Sequence, residues 1–222
     1  MEMASTSRSS APVRSSRSRR PAAELVEDLL AAAAAEFAAH GFEGASTRRI
    51  AERAAAHQPQ INYHFDSKEQ LWRETVDRLF AVLAGDAGPA VALTATGGEQ
   101  AGAFAAAVHR FLQFSAEHPE LNRIINQEAT APSTRLDWLV ATHLRPLHGA
   151  VESVWREIRS RGAGADLEAD EVWELITTYG ALRFANAPML ARLDISSGTG
   201  TADVDAHARR LLALLGLAPG SG

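Results

Sequence analysis

Apolar residues recur three and four positions apart along the chain and no alternating strand pattern appears, which predicts an all-α protein. Leu25, Leu29 and Phe37, with Val26 and Leu30, form the stripe of a first helix over about residues 21–39. Pro21 suits its first position, and Glu24, Glu27 and Asp28 lie at the positive end of its dipole. His40 and Gly41 supply the stop, with Gly41 placed for positive φ and Phe42 where a Schellman motif puts its hydrophobic contact. A second helix of about two turns, capped by Ser46 or Thr47, turns Ile50, Ala51 and Ala54 inward. Pro59 opens a third short helix whose Ile61 and Phe65 point to the core. Ser67 and Gln70 then make a capping box for a fourth, through Leu71, Trp72, Val76, Leu79 and Phe80.

Gly85, Gly88, Pro89, Gly97 and Gly98 punctuate the exit from that helix, which sets a domain boundary near residue 85. Thr96 and Glu99 make a further capping box, and helices are expected at about 99–117, 119–128, 134–161, 168–188 and 202–215. Pro146 should kink the third of these, and Gly162 and Gly164 should end it. The expected organisation is a disordered basic arm over 1–20, a head over 21–84 and a helical C-terminal domain over 85–222.

Composition narrows the chemistry. With no cysteine, disulfides, thiolate zinc sites, cysteine nucleophiles and iron–sulfur clusters are excluded, and a reducing cytoplasm fits. No apolar run approaches the length of a membrane span, so no membrane partner is expected. The net charge of −5 is unevenly spread, since residues 1–80 carry 11 Lys+Arg and 11 Asp+Glu and the remainder carry 11 and 16. Arg8, Arg14, Arg17, Arg19 and Arg20 face a single acid, Glu2, in the first 20 residues. That tail is either a solvated leader or an arm that follows DNA phosphates or enters a minor groove. A twin-arginine export signal fails because Glu24, Glu27, Asp28 and Glu36 interrupt the apolar stretch it requires.

The second and third helices, joined by a tight turn, suit a helix-turn-helix that enters a major groove. Gln58, Gln60, Asn62, Tyr63 and His64 are left near the surface of the third. Gln and Asn amides can bridge adenine N6 and N7, whereas Tyr, His and Lys reach phosphate oxygens. Lys68 is the sole lysine, placed at a helix start where the dipole disfavours a cation, so a phosphate role is favoured over plain solvation.

Phe37, Gly41, Phe42, Thr47, Ile50, Ala51, Ala54, Ile61, Tyr63, His64, Phe65, Ser67, Lys68, Glu69 and Leu71 stand in a pattern that resembles the tetracycline-repressor (TetR) family of bacterial transcription regulators, over about residues 22–72. The resemblance implies an N-terminal helix-turn-helix DNA-binding domain, a C-terminal helical ligand-binding and dimerisation domain, and a homodimer on double-stranded operator DNA. By position it implies base contacts from Arg48, Gln58, Pro59 and Gln60, phosphate contacts from Thr47, Asn62, His64 and Lys68, and either from Tyr63. Three positions depart from the family pattern: Ala55 replaces the usual turn glycine, Ala56 the following aliphatic, and His57 the usual serine cap. A positive φ at Ala55 would cost about 1 kcal/mol relative to glycine. Asn62 stands where the family often has Tyr.

An effector pocket needs apolar walls with a few convergent polar groups, for which Phe111, Asn126, Trp138, Tyr179, Arg183 and Asn186 are candidates, although each also has an ordinary packing or capping role open to it. Stripes at Val172, Leu175, Ile176 and Tyr179, and at Val204, Ala208, Leu211 and Leu215, suit a two-fold contact between final helices, with Arg209 and Arg210 at its rim. His143 and His148 are five apart and His109 and His118 nine apart, spacings that do not suit a helical metal site, so no metal and no cofactor is expected. No nucleophile elbow or HExxH motif occurs. The expected function is a cytoplasmic, non-enzymatic, homodimeric repressor released from a palindromic operator by an unknown small-molecule effector. The rival is a helical ligand-binding or enzymatic domain with a vestigial head.

Overall fold

The computed structural model describes residues 21–85 and 99–217, and no strand occurs among them. The arm over 1–20 and Thr96 of the expected capping box lie outside the described residues. Helix α1 (Ala22–Gly44) starts one residue after Pro21 and breaks at Gly41, whose φ of 67° and ψ of 175° no helix interior allows. The rings of Phe37 and Phe42, either side of that break, stack with centroids 6.1 Å apart, which is the expected hydrophobic contact. Then follow α2 (Thr47–Arg53), α3 (Gln58–His64) and α4 (Lys68–Gly85). Ser67 Oγ accepts from Gln70 N–H at 3.0 Å, but the Gln70 side chain reaches back to Asp66 N–H rather than to Ser67.

The C-terminal part comprises α5 (Gln100–Glu117), α6 (Pro119–Glu128), α7 (Thr134–Leu139), α8 (Arg145–Ser160), α9 (Ala169–Glu174), α10 (Leu182–Ala185), α11 (Ala187–Arg192) and α12 (Thr201–Leu214). Two π segments interrupt the long spans, Val140–Leu144 between α7 and α8 and Leu175–Ala181 between α9 and α10. The first meets Pro146 directly. Proline has no N–H to give, and its ring presses on the carbonyl four residues back, so a widened turn stands just ahead of the position where a kink was expected. Gly162 and Gly164 end α8 with φ of 75° and 77°, as expected. The helix expected over 168–188 stops at Ala185, because Pro188 cannot continue it and instead stands in the first turn of α11.

Two apolar cores result. In the first, α1 and α4 bury Leu29, Phe37, Leu71, Trp72 and Val76, α2 and α3 add Ile50 and Ile61, and Phe114, Leu121, Ile124 and Leu139 enter from the C-terminal part. Helix α1 packs on α6 as well as on α4, so this core runs unbroken from head to body. The second core joins Phe104, Val108 and Leu112 of α5 to Trp155 and Ile158 of α8 and to the final helices. Phe111 packs against both.

The second core takes up most of the residues expected at a dimer surface. Val172, Ile176, Val204, Ala208, Leu211 and Leu215 are buried inside the protomer against α5 and α8, and Leu175 packs on the same cluster half-buried. Periodicity correctly marked the faces that leave water, but α5 and α8 already cover most of them within the protomer. Of that group only Tyr179 is substantially exposed, at 42 %.

Candidate nucleic-acid interface

The reading motif is assembled around a buried acid. Glu36 stands in the alanine-rich middle of α1 with its side chain only 1 % exposed. Its Oε1 accepts from Ser46 N–H at 3.0 Å and from Arg49 Nε at 2.7 Å. Burial alone would raise the Glu36 pKa, but the Ser46 amide, the Arg49 guanidinium and the charge of His40 outweigh it and hold the carboxyl below its ordinary value. Arg49 Nη2 also donates to Gly44 O at 2.8 Å, and Ser46 Oγ caps α2 by accepting from Arg49 N–H at 3.4 Å. One carboxylate therefore fixes the start of α2 on α1. Sequence reasoning missed it, and the only available signal was an acid inside an otherwise apolar alanine face.

The α2–α3 turn is a Schellman motif. Ala56 N–H donates to Ala51 O at 2.9 Å and Ala55 N–H to Glu52 O at 3.2 Å, with Ala55 in the left-handed region at φ 50°. The missing glycine has not reshaped the turn, and an alanine carries the strain. Ala56 packs on the first core where a bulkier aliphatic is usual. Beside the turn lies an open cleft of about 390 Å³ lined by Asp28, Ala31, Ala32, Arg53, Ala54 and Ala55.

Helix α3 is braced from behind and bare in front. Ile61 and Phe65 are buried, while Gln58, Pro59, Asn62 and Tyr63 are exposed, Tyr63 to 84 %. His64 is half-buried, its ring edge-on to Tyr63 with centroids 5.0 Å apart. Gln60 is half-buried, and its Oε1 accepts from His57 N–H at 2.8 Å, which is the N3 half of a capping box. Bidentate reading of adenine uses both ends of an amide, and the Gln60 side chain is already oriented by its bond to His57, whereas Gln58 lies at the exposed start of the helix. On α2, Thr47 is half-buried, and Arg48 is exposed and pairs with Glu52 at 2.9 Å. Lys68, at the start of α4, donates to Glu43 O at 3.2 Å with its Nζ 4.8 Å from the Phe42 ring centroid.

The six effector candidates are spread over different surroundings. Trp138 packs edge-on to Trp72 of the head with centroids 5.6 Å apart. Asn126 is exposed and donates to Asn122 O, Asn186 is exposed ahead of α11, and Arg183 donates to Ser196 O. Phe111 lies between the two cores and Tyr179 beside His207. No cluster of three or more potential metal ligands occurs among the described residues. Nor is any described helix long and apolar enough to cross a membrane.

Residues 29–75, from α1 into α4, match the family model described as bacterial regulatory proteins, tetR family. No curated protein matches the chain by sequence. Among solved structures, a TetR-like transcriptional regulator from Rhodococcus sp. RHA1 is 19% identical, with a TM-score of 0.65 over 88% of this chain and 96% of its own. The fatty acid degradation regulator FadR from Bacillus halodurans is 19% identical, with a TM-score of 0.59 over 85% of this chain and 94% of its own. HlyIIR, a hemolysin II transcriptional regulator, is also 19% identical, with a TM-score of 0.59 over 88% and 99%. At such identities the likeness carries the fold.

Proposed function

We propose that this chain, whose residues 29–75 match the tetR family of bacterial regulatory proteins, is a DNA-binding regulator of transcription that works as a cytoplasmic homodimeric repressor. In this reading α3 of each protomer enters one of two successive major grooves of a palindromic operator, about 34–36 Å apart, and a small-molecule effector in the C-terminal helices releases the DNA. The observation that carries it is the exposed row of Gln58, Asn62 and Tyr63 on a helix anchored in the core by Ile61 and Phe65. Thr47, Arg48, His64 and Lys68 flank that row as candidate phosphate or base contacts.

Dimerisation is assigned to what the final helices leave exposed. Tyr179 has its ring 5.0 Å from His207 of α12, and Leu214, 51 % exposed, lies two turns further along the same side of that helix. The exposed Arg209 and Arg210 border it.

The test is selection of a binding sequence from random duplex DNA, followed by titration at stated salt. The expected result is an inverted repeat, with Gln58→Ala relaxing preference at one position per half-site by about 1–3 kcal/mol. A protein that enriches no sequence would instead favour the reading of a helical ligand-binding domain with a vestigial head.

A further inference from the structure

We propose that Arg135, on the first turn of α7 in the body, is a positioning residue for the DNA phosphate contact at Lys68. The inference rests on the DNA-reading function proposed above. Arg135 is only 17 % exposed, and its Nε lies 3.1 and 3.2 Å from the two carboxylate oxygens of Glu128, a buried acid that also accepts from Ser133 Oγ at 3.1 Å. So held, its guanidinium lies 3.7 Å from the centroid of the Phe42 ring, and its Nη2 is 3.8 Å from Glu43 Oε1. Lys68 uses the same two residues, with its ammonium 4.8 Å from the Phe42 ring and donating to the Glu43 carbonyl. Two cations, one from the head and one from the body, thus share one ring and one residue, just past the break at Gly41.

The arrangement has a direction. Arg135 is anchored by a buried carboxylate, whereas Lys68 is a long, flexible stem ending in three donors, of which Glu43 O takes one. Fixing the Phe42 ring fixes one wall of the space that Lys68 occupies. Holding the Glu43 carboxylate toward Arg135 keeps that anion off the Lys68 ammonium, whose other donors then remain for a phosphate. The body reinforces this grip, since Gln127 Nε2 donates to Ala38 O at 3.0 Å, one turn before the break.

The test is a double-mutant cycle on the duplex that the wild-type protein selects, using Arg135→Met, Lys68→Met and the double variant. Each is titrated by anisotropy over a range of salt and melted by circular dichroism. Each variant loses its phosphate contact in both protomers of the proposed dimer, which lowers the log–log salt slope by about 1.8, roughly a thirtyfold loss of affinity near 0.15 M salt. Both single variants should show that loss with sequence preference unchanged, and the double should bind no more weakly than Lys68→Met alone. The proposal is overturned if Arg135→Met keeps the full slope, or if the two losses multiply. If Arg135→Met does not fold, Arg135→Lys in the same cycle serves instead: it keeps the charge beside Glu128 but loses the planar stack, and should show the same non-additivity. A normal loss at Lys68 with none at residue 135 refutes the positioning role alone. An unchanged slope in Lys68→Met refutes the phosphate contact itself.

Discussion

Ala55→Gly should stabilise this protein, which is unusual for a substitution that only removes atoms. At φ 50° the Ala55 side chain sits where L-residues are crowded, at a cost of about 1–2 kcal/mol. The methyl is exposed, so deleting it forfeits little packing. Against the relief stands the greater freedom of glycine in the unfolded chain, about 0.4–1 kcal/mol. The Schellman hydrogen bonds from Ala55 and Ala56 remain in either case. The balance is a gain of roughly 0.5–1 kcal/mol, or about 1–4 °C in Tm for a chain of this size. Ala54→Gly, one residue earlier, is the control, because Ala54 is buried with an ordinary φ of −78° and has no strain to relieve. Urea and thermal unfolding should therefore move in opposite directions for the two variants. A loss of stability in Ala55→Gly would refute the strain argument, and so would equal shifts.

Glu36→Gln should cost about 2 kcal/mol at neutral pH, below the ~3–5 kcal/mol for breaking a fully buried pair because Arg49 is half-exposed. A carboxyl whose pKa falls on folding adds stability above its unfolded pKa and loses it as pH drops through the lowered folded value. The gap between wild type and Glu36→Gln should thus be full near pH 7 and close only in acid, as urea midpoints across pH would show. His207 is also affected: burial first, with the charges of Arg183 and Arg210, lowers its pKa despite the acceptors Gly180 O and Tyr179 O. A histidine with a lowered folded pKa loses stability as pH falls below its unfolded value near 6.5, but both proteins carry it, so the gap is unaffected. Leu214→Asp should give a monomer by sedimentation at micromolar concentration with an unchanged helical spectrum, and a persistent dimer would remove that surface.

Local chemistry was legible in the sequence. Gly41, Ser46 and Ser67 act within a few residues, so spacing alone placed the first four helices and the Ser46 and Ser67 caps, and it separated the inward Ile61 and Phe65 from the outward Gln58 and Tyr63. Interactions between distant residues were not. The links of Glu36 to Arg49 and of Arg135 to Phe42 join residues 13 and 93 positions apart, and neither leaves a periodic trace. The π segments change which carbonyl an amide meets without changing composition, and Pro146 signals one of them only by what it lacks. The stripes at Val172 and Val204 showed that a face is covered, not by what, and the choice between a partner and the protomer's own α5 and α8 exists only in three dimensions.

The apolar interior that passes without a seam from α1 and α4 into α6 and α7 limits how this protein can be taken apart. A reading head cut at the end of α4 would present Trp72 to solvent where Trp138 had packed on it, and would lose Leu121 and Ile124 from its core. Chimaeras that transplant these recognition helices onto another regulator must therefore bring along the matching socket.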